Sequence, residues 1–407
     1  MLKCGLLGRK LGHSYSPAIH GMLSDYDYQL FEREPEQLED FLLHGDWNGI
    51  NVTIPYKKSV LPYCRELSPL AEEIGSVNTI VRRPDGSLFG DNTDAYGFES
   101  LVKKSGIAVR GKKALVLGSG GASVTVVAVL KRLGAASVTV ISRSGEDNYD
   151  NIQKHADARI IVNTTPVGMY PNNGQAAVDL KAFPNCEGVL DVVYNPARTA
   201  LLLQAESLGI AHAGGLYMLV AQAKRSSEIF TGSSIPDSET ERIEKLLSAQ
   251  MQNIILIGMP SSGKSTVAAA LGKELGRPVY EADALIEEEA GMDIPAIFAA
   301  QGEDYFRALE TKVLKRLGAM SGAIISTGGG CVTREENYAP LHQNGRMVWL
   351  TRDTDKLDKA GRPISLKSDL NELYAKREPM YARFADLKAD NNGSLEDTLT
   401  QIMEALK

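Results

Sequence analysis

Two glycine-rich loops, each set directly behind an apolar run, carry the chemistry that spacing alone can reveal. In the first, Gly118-Ser119-Gly120-Gly121-Ala122-Ser123 follows Lys113-Ala114-Leu115-Val116-Leu117. Glycines there permit a tight turn and let backbone N–H groups approach a pyrophosphate, while the start of a following helix favours negative charge. Ser123 stands where G-x-G-x-x-G has its third glycine, and is small enough for a helix to pack on a sheet. The next apolar run, Val138-Thr139-Val140-Ile141, ends in Ser142-Arg143-Ser144. A site for NAD would place an acidic residue there for the ribose hydroxyls; a guanidinium flanked by hydroxyls suits the 2′-phosphate of NADP(H). The predicted cofactor contacts are Gly118, Gly120, Gly121, Ala122, Ser142 and Arg143. By itself the glycine cluster also fits a plain strand–helix turn, and Arg143 a solvated loop residue.

The second loop, Gly258-Met259-Pro260-Ser261-Ser262-Gly263-Lys264-Ser265, follows Asn253-Ile254-Ile255-Leu256-Ile257 and precedes an apolar helix. This is a nucleoside-triphosphate loop: backbone N–H groups cradle phosphates, Lys264 reaches the β- and γ-phosphates, and Ser265 ligates Mg²⁺. Gly258, Ser261, Ser262, Gly263, Lys264, Ser265 and Thr266 are the predicted ATP contacts. A chain with both loops is most simply a redox enzyme fused to a kinase.

The elements that position these loops read as α/β throughout. A buried strand is predicted over Leu2–Leu7, with Ser16-Pro17 supplying a helix N-cap and a proline at the first helical position. Strand-like runs follow at Gly49–Thr53 and Val77–Val81, and a helix from about Asp94 leads into a second unit. There strands near 113–117, 137–142, 159–163 and 188–193 alternate with helical stretches, as βαβ folds require. A polar helix over Glu239–Ala249 ends the first enzyme, and Met251 is expected to open a new strand. The boundary falls near 250, after which strands are predicted near 253–257, 323–326 and 347–350.

Bulk properties narrow the classes. A length of 407 residues suggests two to three domains. With 43% hydrophobic and 23% charged residues the composition is that of an ordinary globular protein. A net charge of -7 argues against general affinity for nucleic acid or acidic lipid. Four scattered cysteines, Cys4, Cys64, Cys186 and Cys331, suggest neither disulfides nor a zinc site and fit a reducing cytosol. The first residues are too glycine-broken for a signal peptide, and no apolar run reaches 18 residues, so a cytoplasmic location without membrane attachment is expected. The chain is free to act alone or as a homodimer.

Further motifs decide between these readings. Ser14-Tyr15-Ser16-Pro17-Ala18-Ile19-His20, Asn51-Val52-Thr53-Ile54-Pro55-Tyr56-Lys57, Gly75-Ser76-Val77-Asn78-Thr79 and Gly90-Asp91-Asn92-Thr93-Asp94 occur in order, followed by Asp191-Val192-Val193-Tyr194-Asn195-Pro196 and Gly215-Leu216-Tyr217-Met218-Leu219-Val220-Ala221-Gln222. Together they make nearly all of 1–248 resemble shikimate dehydrogenase. The resemblance implies that Ser14 and Ser16 hold the substrate carboxylate, and that Thr53, Asn78, Asp94 and Gln222 contact ring hydroxyls or nearby polar groups. Tyr194 belongs to the same substrate set and Gly215 to the cofactor side. Lys57 and Asp94 would be the catalytic pair, since an alkoxide forming from a ring ketone needs a proton that an ammonium can give. Without the resemblance, Lys57 reads as a surface lysine opening a helix after Pro55. His20 is expected to be a packed helix residue and His13 a loop residue. Gly21 stands where the family usually has Asn, and Glu146–Ala158 is short, as if a helix of the cofactor subdomain were trimmed.

Residues 252–407 likewise resemble shikimate kinase, through Tyr280-Glu281-Ala282-Asp283, Gly302-Glu303-Asp304-Tyr305-Phe306-Arg307, Ser326-Thr327-Gly328-Gly329-Gly330, Gly361-Arg362-Pro363-Ile364 and Ala375-Lys376-Arg377-Glu378-Pro379. By that resemblance Asp283 holds the attacking hydroxyl, either accepting its proton or orienting it. Arg307 and Arg377 would grip the carboxylate, and Gly328, Gly329 and Gly330 would let backbone amides approach the ring. Arg362, on a closing lid, would cover charge on the transferring group. Glu281 replaces the first aspartate of the family's Asp-x-Asp and is expected to reach the metal through water, beside Ser265. Strand alternation is expected to set Glu281 and Asp283 on one side. The lid before Arg362, Asp353–Ala360, is short.

The two resemblances imply consecutive steps, reduction of 3-dehydroshikimate with NADPH and phosphorylation of shikimate with ATP and Mg²⁺. The expected organisation is a dehydrogenase over 1–250 (substrate subdomain about 1–97 and 218–250, NADP-binding subdomain about 98–217), then a kinase over 251–407. Two alternatives stay open: a quinate/shikimate dehydrogenase with an attached kinase, and a metabolite-sensing regulator built from decayed enzyme domains.

Overall fold

A computed structural model describes residues 1–12, 14–357 and 369–406. The chain divides into two compact units. Unit 1 comprises Met1–Val167, Ala176–Tyr194 and Leu201–Leu246; unit 2 comprises Gly168–Gln175, Asn195–Ala200 and Leu247–Lys407.

Unit 1 holds two sheets. The first contains β1 (Lys3–Gly8), β2 (Asp27–Glu32), β3 (Gly49–Val52), β4 (Glu66–Leu67), β5 (Thr79–Arg82) and β6 (Leu88–Asp91), in the order β2-β1-β3-β5-β6-β4. It is mixed: β1 runs parallel to β2 and β3, while β5 is antiparallel to β3 and β6. The second contains β7 (Lys113–Leu117), β8 (Ser137–Ile141), β9 (Ile160–Asn163), β10 (Gly188–Asp191) and β11 (Ala211–Ala213), all parallel in the order β11-β10-β9-β7-β8.

A parallel sheet is covered on both faces, so its strands read as unbroken apolar runs. In β7 the alternation is still visible in what each residue meets. Ala114 and Val116 join a core with Phe98, Val126 and Leu130, whereas Leu115 and Leu117 join one with Phe183, Leu201 and Leu202. Between β8 and β9 the chain makes only a 3₁₀ turn at Ile152–His155, so this crossover has no α-helix.

Unit 2 is built on β12 (Asn253–Ile257), β13 (Val279–Glu281), β14 (Ile324–Ser326), β15 (Gly345–Thr351) and β16 (Leu387–Asp390), parallel in the order β13-β14-β12-β15-β16. Here Ile255 and Ile257 face one core while Ile254 and Leu256 face the other. The fold class is therefore α/β with parallel sheets beside each glycine loop.

Several local expectations change. Met251 closes the helix Asp237–Met251 rather than opening a strand, which starts at Asn253. Ser16 is the first residue of its helix; Tyr15 is the N-cap, and the Ser16 N–H donates to Ser14 Oγ at 3.2 Å. Asp283 is not on a strand: β13 ends at Glu281, which caps the helix Ala282–Ala290, and Asp283 lies in its first turn. All four cysteines are free. Burial pushes the thiols up, to about 12 for Cys4 and Cys331 and about 11 for Cys64, with Cys186 also raised. Among the described residues no helix is long and apolar enough to cross a membrane.

Candidate active sites

A cavity of about 270 Å³ opens in unit 1, small for a ligand pocket and suited to a single-ring metabolite. Its walls come from distant parts of the sequence. Ser14 enters from the loop before the first helix and Ser16 from its first residue, Thr53 and Lys57 from the turn after β3, and Asn78 from the approach to β5. Asp94 comes from the helix Thr93–Ser105, Tyr194 from beyond β10, and Gln222 from the helix Leu216–Thr231.

Lys57 does not open a helix. It lies in a turn, where its Nζ donates to Asp94 Oδ2 at 2.5 Å. The turn is pinned on either side: Tyr56 is buried and donates its hydroxyl to the Arg33 carbonyl at 2.5 Å, and the Lys57 carbonyl accepts the Val77 N–H at 2.8 Å. Asp94 sits in the first turn of its helix, where the backbone N–H groups favour negative charge. Asn92 caps that helix by accepting the Ala95 N–H at 3.3 Å and is tied down by donating to the Ser76 carbonyl at 2.9 Å. The side chains of Lys57 and Asp94 are 25% and 17% exposed, so the pair touches the cavity without being fully solvated.

Asn78 is buried, and its Oδ1 accepts the Thr93 N–H at 2.7 Å. Tyr194 meets Tyr15 edge-to-face at 5.9 Å, and burial raises both phenols. Gln222 donates to the Leu219 carbonyl at 2.9 Å. Gly215, expected on the cofactor side, lines this same cavity, and the Val192 carbonyl leaves no room there for a Cβ. His20 is a packed helix residue, fully buried and stacked on Tyr28 at 4.0 Å; burial lowers its pKa to about 3. His13 lies outside the described residues. Sequence reasoning passed over the cavity-lining Asn51, although alternation along the strand expected over Gly49–Thr53 sets it on the side of Thr53. The apolar Leu6, Met218 and Leu219 complete the lining.

Gly118, Gly120, Gly121, Ala122, Ser142 and Arg143 are not among the lining residues of that cavity. Gly118 has φ +100 and packs on Thr165, where a Cβ would come within 2.7 Å of Cγ2. Gly120 caps the helix Gly121–Arg132, and a Cβ on Gly120 or Gly121 would meet nothing within 4 Å. That open backbone at a helix start fits a pyrophosphate. Ser142 and Arg143 follow β8 on the edge of the same sheet; Arg143 is exposed, and its charge acts on the Tyr149 phenol.

In unit 2 the loop after β12 has left-handed or strained φ at Gly258 (+148), Ser261 (63) and Gly263 (+90). Lys264, at the start of the helix Lys264–Leu275, donates to the Gly258 and Met259 carbonyls at 3.0 and 2.8 Å. The Ser262 carbonyl accepts from Asn391 Nδ2 at 2.7 Å, and the buried Ser262 hydroxyl has no partner among the described residues. Ser265 and Thr266 are exposed on the helix. The Ser265 hydroxyl donates to Glu281 Oε2 at 3.0 Å, which places these two oxygens side by side. Among the described residues no group of three acidic, His or Cys side chains could hold a metal. An ion at Ser265 would therefore complete its shell with phosphate oxygens and water.

The triple glycine is required by its neighbours. A Cβ on Gly328 would lie 2.6 Å from Asp283 Oδ1, and one on Gly329 would lie 2.6 Å from the Pro260 ring. One on Gly330 would collide with the Arg307 guanidinium. Arg377 Nη1 and the Tyr381 hydroxyl donate to the Gly329 carbonyl at 3.1 and 2.5 Å. Arg307 is buried, with Nη1 donating to Glu310 Oε2 at 2.8 Å and Nη2 to Glu303 Oε1 at 3.2 Å. Glu310, which sequence reasoning passed over, is fully buried, and its Oε1 has no partner among the described residues. Burial raises its pKa, opposed by Arg307. Its place one turn from Arg307 on a helix was the available signal. Arg362 and residues 358–360 of the segment before it lie outside the described residues.

Comparison with known proteins gives these sites a family. Residues 6–80 match the shikimate dehydrogenase substrate binding domain, and residues 260–407 match shikimate kinase. A shikimate dehydrogenase (NADP(+)) of Clostridium perfringens is 35% identical over 260 residues, covering 59% of this chain and 96% of that protein. The chain belongs to the shikimate dehydrogenase family and is fused to a shikimate kinase domain. A second dehydrogenase of this fusion's family, from Halothermothrix orenii, is 36% identical over 267 residues, covering 56% of the fusion and 90% of that protein. Among solved structures, a chorismate mutase/shikimate 5-dehydrogenase fusion protein from Clostridium acetobutylicum is 34% identical with a TM-score of 0.57, covering 60% of the fusion and 97% of that chain. The shikimate 5-dehydrogenase of Thermus thermophilus, solved with NADP(H) and shikimate, is 31% identical with a TM-score of 0.55, covering 60% and 99%. The fusion is thus a bifunctional enzyme of the shikimate pathway.

Proposed function

We propose that the fusion reduces 3-dehydroshikimate to shikimate with NADPH and then phosphorylates shikimate to shikimate 3-phosphate with ATP. The observation that carries the first half is the Lys57–Asp94 pair at 2.5 Å inside a cavity whose other polar walls are Ser14, Ser16, Thr53, Asn78 and Gln222. NADPH supplies the reducing equivalent when bound, with its pyrophosphate at Gly118–Ala122 and its 2′-phosphate at Ser142 and Arg143. Ser14 and Ser16 hold the substrate carboxylate at one end of the cavity, and Asn78, Thr53 and Gln222 hold polar groups of the ring. As the ketone carbon is reduced, negative charge develops on its oxygen and the Lys57 ammonium gives it a proton. Asp94 keeps that ammonium aimed and accepts a hydrogen bond from a neighbouring hydroxyl. Gly215 and Tyr194 shape the wall where cofactor and ring meet.

For the second half, ATP supplies the phosphoryl group and Mg²⁺ neutralises charge on it. The loop Gly258–Thr266 cradles the phosphates, Lys264 turning from its own carbonyls to them. Ser265 would ligate the ion, and Glu281, bonded to the Ser265 hydroxyl, would hold a water beside it. Arg307 and Arg377 grip the shikimate carboxylate with planar forks, while Gly328–Gly330 let the ring lie against backbone. Asp283 accepts or orients the hydroxyl proton as the oxygen attacks phosphorus, and Arg362 covers the charge that develops. The division into a dehydrogenase over 1–250 and a kinase over 251–407 belongs to the same proposal.

One coupled assay tests it. NADPH consumption with 3-dehydroshikimate, followed by ADP formation on adding ATP and Mg²⁺, is the expected result. Faster oxidation of quinate than of shikimate, or absence of either step, would overturn it.

A further inference from the structure

Behind the dehydrogenase cavity lie three hydroxyls that the chemistry above does not use. Thr79, Thr93 and Ser226 are each 1% exposed or less. Their oxygens form a closed triangle, with Thr79–Thr93 at 3.0 Å and Ser226 at 2.9 Å from each threonine. The members come from three elements: β5, the start of the helix Thr93–Ser105, and the helix Leu216–Thr231. Each is tied to a cavity residue through the chain. Thr79 follows Asn78, Thr93 precedes Asp94, and Ser226 lies one turn beyond Gln222, whose carbonyl accepts its hydroxyl at 3.0 Å.

Two cavity-lining amides close the network from opposite sides. Asn51 Nδ2 donates to Ser226 Oγ at 2.7 Å and to Thr79 Oγ1 at 3.1 Å, while its Oδ1 accepts the Tyr28 hydroxyl at 2.8 Å. Asn78 Oδ1 accepts the Thr93 N–H at 2.7 Å and stands 3.2 Å from both threonine hydroxyls. A hydroxyl has one proton to give and two lone pairs. With Ser226 donating to the Gln222 carbonyl and accepting from Asn51, its second lone pair takes a proton from one threonine. The other threonine's proton goes to Asn78 Oδ1 or to its fellow threonine. Donation enters from the Asn51 amide and leaves at the Gln222 carbonyl and the Asn78 oxygen. Reversing Asn78 would set its NH₂ against the Thr93 N–H, donor facing donor. A buried network whose members come from β3, β5 and two helices holds those elements together.

We propose that this hydroxyl triangle, with Ser226 as its shared member, positions the ketone-reducing site, holding Asp94 and Asn78 in register against the helix that carries Gln222. The inference rests on the dehydrogenase reading above. None of the three hydroxyls touches the reacting atoms; they are positioning residues.

The test uses the full chain with Ser226→Ala, Thr79→Val and Thr79→Ser, the last retaining the hydroxyl. Steady-state kinetics with 3-dehydroshikimate and NADPH should show kcat about tenfold lower for Ser226→Ala and for Thr79→Val, the worth of roughly one hydrogen bond expressed in the transition state. KM for NADPH and phosphorylation of supplied shikimate should stay within about twofold, and Thr79→Ser should recover most of kcat. An unchanged kcat in Ser226→Ala, or a Thr79→Ser variant as slow as Thr79→Val, would overturn the proposal. Hydrogen exchange separates this from failure of the dehydrogenase reading. The amides of Thr93–Ala95 should exchange about tenfold faster in Ser226→Ala whatever the substrate proves to be, and unchanged exchange counts against the triangle. A parent chain inactive on 3-dehydroshikimate overturns the functional reading instead.

Discussion

Lys57 and Asp94 reach each other across 37 residues of sequence, and the ion pair holds the Lys57 side chain in place. If Lys57 is the proton donor proposed above, removing it should cost far more than a contact. We expect Lys57→Ala to lower ketone reduction by at least about a hundredfold while supplied shikimate is still phosphorylated. Parallel loss of both activities would contradict separate sites. At the other site, Ser265 bonded to Glu281 divides the labour of two carboxylates. Asp283→Asn should destroy turnover with ATP still bound, and Glu281→Ala should chiefly raise the Mg²⁺ requirement. A magnesium titration at saturating shikimate separates them; unchanged magnesium dependence with weaker shikimate binding in Glu281→Ala would reverse these roles. His20 makes a pH prediction. Burial lowers its folded pKa to about 3 from 6.5. An unfolded chain therefore binds the proton first as pH falls, and stability is lost progressively from pH 6.5 down towards 3. Between pH 6.5 and 5 the dehydrogenase unit should lose about 2 kcal/mol in urea unfolding, and His20→Leu should flatten that slope. An equally steep slope in the variant would point to another group.

At the scale of elements, the strands were legible because parallel sheets impose unbroken apolar runs, as at Ala114–Leu117 and Ile254–Ile257. Where a carboxylate lay at an element's end, periodicity misled. Glu281 and Asp283 are two residues apart, which alternation reads as one strand face, yet the chain turns helical at Ala282. Glu281 meets Ser265 of the phosphate loop while Asp283 lies against Gly328, one at the strand end and one at the start of the helix that follows. The residues gathered at the dehydrogenase cavity were legible as motifs, whereas Ser226 was not, because a serine on a helix carries no signal until its partners from β3, β5 and a second helix are known. The triple glycine is the element-scale device most open to test. Gly330→Ala drives a methyl into the Arg307 guanidinium. Shikimate binding to the kinase should weaken at least about tenfold, with ATP binding unaltered by calorimetry. Equal weakening of both ligands would mean that the turn as a whole had collapsed.

For the whole molecule, the dehydrogenase and kinase units each enclose their own apolar cores. A mixture of Lys57→Ala and Asp283→Asn chains should therefore convert 3-dehydroshikimate to shikimate 3-phosphate, with free shikimate passing between chains. Absence of conversion in the mixture would show that each activity needs the other intact in the same chain. The cysteines carry a different consequence. Sulfur reacts as thiolate, and with pKa values of about 11 to 12 at Cys4, Cys64 and Cys331 the ionised fraction at neutral pH is on the order of one in ten thousand or less. Cys331 lies beside the kinase glycines, where an ionised sulfur would be exposed to peroxide and to electrophiles, but it is fully buried and protonated. Peroxide or a thiol-directed electrophile should therefore leave phosphorylation of supplied shikimate largely intact, and a loss of that activity in step with modification of Cys331 would contradict this.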